Sequence, residues 1–131
     1  MTLVAVIVDA SAVVELLLKS DLAPRVAKRL FGQELHAPQL IDIEVLNVLR
    51  RYNAFGELSD VRAEEAIIEY SRLALERHSH EVLLHRIWEQ RSNLTAYDAA
   101  YVALAELLGM SILTLDKRLA KAAPQVTELL Q

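Results

Sequence analysis

Two stretches of the chain follow the same pattern, in which an apolar run ends abruptly on an aspartate. The run "VAVIV" stops at Asp9, and the run "SILTL" stops at Asp116. Because ligands of open α/β sheets bind beyond the carboxyl ends of the strands, aspartates that follow two neighbouring strands can face one crevice. Each aspartate can instead cap the helix that follows it. The pattern alone leaves both interpretations open.

Helical spacing draws attention to two further acids. In "IDIEVLNVLRR", Glu44 and Arg51 fall on one narrow stripe beside the apolar face of a helix over 41–52. Such a stripe is typical of a pocket wall or of a solvated, loosely ion-paired face. In "TAYDAAYVALAELLG", Thr95 and Asp98 have the spacing of a capping box, with Asp in place of the usual Glu or Gln. Asp98 then lies in the first helical turn, where a capping role and a role at the rim of the sheet are compatible.

These four carboxylates would need neutralising if the fold brings them together. Like carboxylates repel one another and raise one another's pKa values unless cations or protons compensate them. Mg²⁺ and Mn²⁺ are suitable cations, since they prefer oxygen ligands and keep waters and phosphate oxygens in their shells. One or two such ions activate water and stabilise the leaving oxygen in phosphodiester hydrolysis. The acids therefore predict metal-dependent phosphodiester hydrolysis without a side-chain nucleophile.

Positioning these acids requires alternating strands and helices. The β-branched run over 3–8 predicts a strand buried on both faces, and 111–115 predicts a second one. Helices are predicted over 12–19, 22–31, 41–52, 59–72, 80–90 and 95–108 and shortly after 115, with short strands over 35–37 and 73–77. The alternation predicts a single domain over 1–131 of the α/β class, a sandwich built on a mostly parallel sheet.

Composition narrows the class of protein. The chain has 131 residues, no cysteine, 53% hydrophobic residues and a formal net charge of -4. This length supports a core without disulfides. The lack of cysteine excludes thiolate metal sites and cysteine nucleophiles, and it agrees with a cytoplasmic protein. No basic stretch precedes an apolar segment and no apolar run approaches the roughly 20 residues of a membrane span, so we expect neither export nor a membrane partner.

Four segments, in this order, resemble PIN-domain proteins of the VapC toxin type: "VIVDASAVVELLL", "IDIEVLNVLRR", "TAYDAAYVALAELLG" and "ILTLDKRLAKA". The resemblance spans Asp9 to Asp116, and its specificity lies in the four segments together. It implies a PIN-like three-layer α/β/α sandwich with Mg²⁺-dependent endoribonuclease activity. It further implies an RNA substrate, a cognate antitoxin that inhibits the toxin, and a homodimer.

The resemblance also implies roles for individual residues. The acidic quartet of the family corresponds to Asp9, Glu44, Asp98 and Asp116. Asp9 and Asp98 match its direct metal ligands, for which Mn²⁺ is a substitute for Mg²⁺. Ser11 and Thr95 match polar residues that support the site rather than catalyse. No member of the quartet is missing.

Histidines and basic residues do not discriminate between functions. His78-Ser79-His80 suggests a metal site, but no third ligand has a suitable spacing, so the sequence favours a surface loop. Several basic residues flank the acids and either contact RNA phosphates or form solvated faces. They are Arg50, Arg51, Lys117, Arg118 and Lys121.

Two other functions remain open at this stage. The chain can be a non-catalytic PIN-fold binding module that uses its acids only as helix caps. It can also be an aspartyl-phosphate phosphatase or phosphoacceptor, in which Asp9 is phosphorylated. The second is disfavoured because Ser11 stands where a phosphatase of the haloacid-dehalogenase type has a second aspartate, and we find no aspartate after a middle strand, as a receiver domain requires.

Overall fold

The computed structural model describes residues 4–131, so Leu3, at which the predicted first strand begins, lies outside the described residues. The strands are β1 (Val4–Val8), β2 (Gln33–Pro38), β3 (Leu75–His78), β4 (Ile112–Thr114) and β5 (Thr127–Leu129). They pair in parallel throughout one sheet, in the spatial order β3-β2-β1-β4-β5. The α/β class with a mostly parallel sheet is confirmed.

Helices cover the sheet as the crossovers between parallel strands require. They are α1 (Ala10–Leu18), α2 (Ala23–Leu30), α3 (Ile41–Ala54), α4 (Asp60–Ser71), α5 (Leu84–Glu89), α6 (Ala96–Leu108) and α7 (Lys117–Ala122). From β1 the chain moves outward to β2 and β3, and it then returns to β4 and β5. Right-handed crossovers therefore put α1 to α4 on one face and α5 to α7 on the other. In agreement, α1 packs on α2, α3 and α4, while α5 packs on α6.

The centre of the sheet is the most apolar part of the chain. Val6, Ile7 and Val8 of β1 are at most 1% exposed, because neighbouring strands and both helical layers cover them. Val8 is the register partner of Leu113 in β4, so β1 and β4 end side by side. The direction of the strand order reverses between these two strands, which is where ligands bind in open α/β sheets. The fold thus brings the residues that follow β1 and β4 to one crevice.

Helix α6 fills much of the core beneath this crevice. Its residues from Ala99 to Ala105 are all buried, and four of these seven are alanine, which lets the helix approach its neighbours closely. The helix contacts β2 and β4. Although α6 is largely apolar, neither it nor another helix within residues 4–131 is long and apolar enough to cross a membrane.

Strand β5 was not predicted from the sequence, and one predicted helix differs from the structure. Residues Thr127–Leu129 are half-buried at the edge of the sheet and include one apolar side chain, so they carry no alternating pattern. The helix predicted over 80–90 is a 3₁₀ turn (Glu81–Leu83) followed by the short α5. A single 3₁₀ turn has nearly the same spacing as a helical turn, so the sequence pattern does not distinguish the two.

Candidate active site

Asp9 lies directly after β1 and is the N-cap of α1. Its Oδ1 accepts hydrogen bonds from the Ala12 amide at 3.1 Å and from the Ser11 hydroxyl at 2.6 Å. Asp9 is only 6% exposed. Both interpretations of this aspartate therefore hold together, since the carboxylate caps a helix and also borders the crevice between β1 and β4.

Thr114 is a site residue that the sequence analysis missed. It is the last residue of β4, is fully buried, and donates a hydrogen bond to Asp9 Oδ2. Its oxygen accepts the Asp116 amide at 3.0 Å, and the Ser11 hydroxyl accepts the Leu115 amide at 3.0 Å. The two hydroxyls thereby join the ends of β1 and β4. A polar residue inside the apolar run "SILTL" was the signal that could have identified it.

Asp116 repeats the capping arrangement on the next strand. It is the N-cap of α7, and its Oδ1 accepts the amides of Arg118 at 2.9 Å and Leu119 at 3.2 Å. Its Oδ2 lies 3.3 Å from the Arg118 guanidinium. Asp116 is therefore held by backbone donors on one oxygen and by a cation on the other.

Asp98 lies in the first turn of α6, as predicted. Thr95 is the N-cap of this helix, and its hydroxyl accepts the Asp98 amide at 3.2 Å. The Asp98 carboxylate accepts a hydrogen bond from Arg118 at 2.8 Å. Thr95 thus acts on the backbone that carries Asp98, while Arg118 links Asp98 to Asp116.

Glu44 lies in the first turn of α3 and is half-buried. Its Oε1 accepts a hydrogen bond at 2.7 Å from the hydroxyl of Tyr101, a buried residue of α6. The loose pairing with Arg51 that the sequence left open is not the arrangement found, because Arg51 lines a separate surface pocket beside Val48 and Tyr52. Tyr101 has no counterpart in the sequence analysis, since a tyrosine within a buried apolar helix resembles an ordinary core residue.

All four acids line one cleft of about 190 Å³, which we call the acidic cleft. Its walls are Asp9, Ala10, Ser11, Glu44, Asp98, Tyr101, Asp116, Arg118 and Leu119. Thr95 and Thr114 act on the acids from outside this lining. Among these walls, four carboxylates face the single guanidinium of Arg118, so the acidic cleft carries an excess of negative charge.

Burial and mutual repulsion act on the pKa values in the acidic cleft. Burial raises the pKa of Asp9, although the hydroxyls of Ser11 and Thr114 oppose this, and the charge of Asp116 adds to it. Burial also raises the pKa of Glu44. The hydrogen bond from Tyr101 lowers this pKa, and the negative charges of Asp9 and Asp98 raise it further. A bound cation would relieve both effects. Carboxylate oxygens are the donors that Mg²⁺ and Mn²⁺ prefer, so these residues fit such an ion.

The surface loop that the sequence favoured is found only in part, because Ser79 and His80 follow β3 whereas His78 lies within it. His36 lies within β2 and is buried, and His78 ends the neighbouring strand β3. A third potential ligand, Glu76, completes a set whose ligand atoms all lie within 4.8 Å of one another. The cluster therefore joins His78 to Glu76 and to His36 of the neighbouring strand, and it does not include His80. His36 is 42 positions away from His78 in the sequence, which is why the spacing within "HSH" did not indicate this cluster.

Comparison with known proteins gives the family. The PIN domain family model matches residues 6–124. The chain is 42% identical to Ribonuclease VapC3 of Mycobacterium tuberculosis over 120 residues, which cover 91% of this chain and 88% of that protein. It is 40% identical to Ribonuclease VapC9 of the same organism over 115 residues, which cover 88% of each.

A solved structure is similar in fold. The crystal structure of PAE2754 from Pyrobaculum aerophilum matches 95% of this chain and 83% of that one, with a TM-score of 0.64 and 20% identity. At this identity the similarity concerns the fold alone. The family match over most of the chain and the identity to the mycobacterial proteins show that this chain belongs to the PIN domain family and is of the VapC type.

Proposed function

We propose that this protein is a Mg²⁺-dependent endoribonuclease, with Mn²⁺ as a substitute ion, and that it is the toxin of a toxin-antitoxin pair. The observation that carries the proposal is the acidic cleft, where the carboxylates that follow β1 and β4 meet those of α3 and α6 around one small volume. The names of the mycobacterial relatives, which are ribonucleases, support the same activity. An excess of buried negative charge without a cation would be costly, which makes a purely structural role of the four acids the weaker explanation.

Asp9 and Asp98 are the residues that we assign as ligands of the ion. A bound divalent ion supplies an activated water and stabilises the charge of the leaving oxygen in phosphodiester hydrolysis. Asp9 is the more constrained of the two, because Ser11, Ala12 and Thr114 all donate to its oxygens. These donors fix the orientation of the carboxylate, as outer hydrogen-bond partners do at metal sites.

Glu44 is suited to hold or accept a proton at Oε2. Its Oε1 is engaged by Tyr101 at 2.7 Å, so the two oxygens are chemically distinct. The direction of its pKa shift, upward from burial, brings the carboxyl closer to neutral pH, where general bases work best. Asp116, fixed as the N-cap of α7, adds negative charge at the cleft and holds Arg118 beside it.

An antitoxin and a second copy of the chain are the protein partners that we propose. Apolar side chains stand exposed on α3 next to the acidic cleft, with Ile43 70% and Leu46 41% exposed. Beside them, Ile43 and Tyr97 border an apolar depression that also contacts Glu44. An exposed apolar patch of this kind is typical of a surface that a partner helix covers. Because the patch adjoins Glu44, a bound antitoxin would block access of RNA to the acidic cleft.

Cleavage of RNA tests the activity. Wild-type protein, Asp9→Asn and Asp98→Asn are incubated with RNA and Mg²⁺, with and without EDTA, and the products are resolved by gel electrophoresis and end sequencing. We expect cleavage by the wild type, its loss with EDTA, and its loss in both variants. Asp21→Asn is the matched control, since it makes the same chemical change at an exposed position outside the acidic cleft.

The result that opposes the proposal is full activity in both variants or in EDTA. Calorimetric titration with Mn²⁺ separates the enzyme from a non-catalytic module. A module that uses its acids only as caps would show no Mn²⁺ affinity, whereas we expect binding that both variants weaken. The antitoxin is tested by co-expression with the product of the neighbouring upstream reading frame and by RNA cleavage with and without it.

A further inference from the structure

A second group of metal-ligating side chains lies outside the acidic cleft, on strands β2 and β3. It consists of His36, Glu76 and His78, which we call the histidine cluster. Strand register explains its assembly, because His36 is the partner of Glu76 and Pro38 is the partner of His78. Partner residues of parallel strands, and residues two apart along a strand, point to the same face of the sheet. All three side chains therefore project from one face.

We propose that the histidine cluster binds a divalent transition-metal ion of the Zn²⁺ type, at a site separate from the acidic cleft. The potential ligand atoms already converge. His36 Nδ1 lies 2.8 Å from His78 Nε2 and 3.6 Å from a carboxylate oxygen of Glu76. Two imidazole nitrogens and one carboxylate oxygen are a ligand set that zinc uses where it keeps a fourth position for water.

Glu34 occupies the position of an outer hydrogen-bond partner, such as those that orient the histidine ligands of metal sites. Its carboxylate lies 2.5 Å from His36 Nε2. A proton on Nε2 that is donated to Glu34 leaves Nδ1 unprotonated, with its lone pair directed toward His78. Carboxylate-histidine pairs of this kind fix the tautomer and orientation of metal-bound imidazoles. A hydrogen bond between two histidines requires neither Glu34 nor Glu76, whereas a dication beside two carboxylates accounts for both.

Exposure is graded across the histidine cluster in a way that allows an ion to enter. The His36 side chain is 6% exposed, while that of Glu76 is 60% exposed. An ion would therefore lie against a buried imidazole on its inner side and could be reached from solvent on its outer side. The fourth ligand, a water, would occupy the solvent side.

The chemistry of the ligands separates this site from the acidic cleft. Imidazole nitrogens suit zinc, copper and nickel, whereas carboxylates and water suit magnesium and manganese. The histidine cluster should therefore bind Zn²⁺ in the presence of excess Mg²⁺. Because its ligands come from both strands, the ion would fasten β3, at the edge of the sheet, to β2. Binding to the folded chain alone then stabilises it by mass action.

The test uses full-length, tag-free protein that carries Asp9→Asn and Asp98→Asn, so that the acidic cleft no longer competes for metal. Isothermal titration with Zn²⁺ in excess Mg²⁺ measures affinity and stoichiometry. The visible absorption of the Co²⁺-loaded protein reports nitrogen ligation in a four-coordinate site. We expect one ion per chain, a Co²⁺ spectrum, and a rise in melting temperature with Zn²⁺.

Variants of the histidine cluster identify the ligands. In that background, His78→Ala and Glu76→Gln should each lower the Zn²⁺ affinity by at least about 100-fold, and Glu34→Gln by roughly 10- to 100-fold. The matched control is His85→Ala, which removes an exposed histidine on α5. Circular dichroism checks that each variant is folded. An absence of Zn²⁺ binding by the background protein, or binding by His78→Ala as tight as that of the control, would overturn the proposal.

Discussion

The acidic cleft and the histidine cluster are both polar sites on the same parallel sheet, and they solve the problem of burial differently. Asp9 is 6% exposed and His36 is 5% exposed, so the two side chains are equally buried. The carboxylate lies after its strand, where the first amides of a helix and two hydroxyls can donate to it. The imidazole lies within its strand and finds partners on a neighbouring strand and two residues away.

This difference follows from charge. A buried carboxylate needs several donors, and the N-terminus of a helix offers free amides and a favourable dipole. An imidazole has only two ring nitrogens to pair, and the face of a sheet can supply a partner for each. Strand ends are therefore suited to gather ligands for hard cations, and strand interiors to gather nitrogen ligands for softer ones. We therefore expect that a substitution in one site leaves the other intact.

The largest expected effect is a double dissociation between the two sites. Asp98→Asn should lower RNA cleavage by at least about 100-fold, since losing a ligand should exceed the 10- to 100-fold cost of losing an outer partner of a metal site. It should leave Zn²⁺ binding at the histidine cluster unchanged. His78→Ala should weaken that binding by at least about 100-fold and leave cleavage within about twofold, because residues that share no partners act independently. Gel-based cleavage rates and Zn²⁺ calorimetry measure both quantities.

The two sites are not independent if either variant impairs both RNA cleavage and Zn²⁺ binding. A histidine variant with no cleavage would mean that β3 and the acidic cleft are coupled. One contact makes this worth testing, since the His80 imidazole accepts the amide of Leu40 at 3.1 Å, just before α3 and Glu44. His80→Ala is the control that removes this contact and keeps the histidine cluster.

The two regions also differ in how far the sequence predicted them. Asp9 and Asp116 were found because each ends an apolar run, and that contrast is local in the sequence. The sequence left open whether the two strands are neighbours, and the strand order, which places β1 beside β4, brings the two aspartates together. The histidine cluster was missed because strand register, which brings His36 to Glu76 across 40 positions, has no local signal.

Secondary-structure elements and single contacts were likewise predicted only where the sequence carries a local signal. The central strand β1 was predicted over all of its described residues, Val4–Val8, since burial on both faces demands a continuous apolar run. The edge strand β5 was not predicted, because a strand that is only half-buried does not need a continuous apolar run. Tyr101 was not identified as the partner of Glu44, because a tyrosine in a buried helix gives no sign of where its hydroxyl points.

Thr114→Val gives the next largest expected effect, because it removes the donor that joins β4 to Asp9. The substitution keeps the shape of the side chain and leaves Asp9 Oδ2 and the Asp116 amide each without a partner hydroxyl. We expect cleavage to fall by roughly 10-fold, the lower limit for an outer partner of a metal site. The free energy of unfolding should fall by about 1–3 kcal/mol.

Thr114→Ser is the matched control for this prediction. It keeps the hydroxyl and removes one methyl group, so cleavage should return while about 0.8 kcal/mol of stability is lost. Urea unfolding and cleavage rates measure the two effects. Wild-type cleavage by Thr114→Val would show that Asp9 does not depend on this hydrogen bond for its orientation.

A smaller effect, of opposite sign for stability, is expected from Asp9→Asn without metal. Burial raises the pKa of Asp9 in the folded chain above its usual value of 3.8. At pH values between 3.8 and this raised pKa, Asp9 is deprotonated in the unfolded chain but still protonated in the folded one. The stability of the wild type therefore falls as pH rises through this window, and it is constant above it. Asp9→Asn lacks this loss, so we expect it to be more stable than the wild type at pH values above the raised pKa, with no such gain below 3.8.

Urea unfolding in EDTA across this pH range measures the prediction. The exposed Glu76 of the histidine cluster provides the contrast, since Glu76→Gln should change stability by only a few tenths of a kcal/mol at any pH. A wild type more stable than Asp9→Asn at neutral pH would show that the hydrogen bonds to the carboxylate outweigh its burial.

The smallest effect is expected at Arg118, the cation that borders the acidic cleft. Its guanidinium contacts Asp98 at 2.8 Å and Asp116 at 3.3 Å, and its side chain is 66% exposed. The positive charge of Arg118 repels a metal cation in the acidic cleft, but solvent screens this repulsion. Arg118→Ala should therefore raise Mn²⁺ affinity only severalfold, less at high salt, and should not affect Zn²⁺ at the histidine cluster. Arg118→Lys keeps the charge without the two-sided contact. A fall in affinity in both variants would instead mean that Arg118 serves the acidic cleft by fixing its carboxylates, as the hydroxyl of Thr114 does.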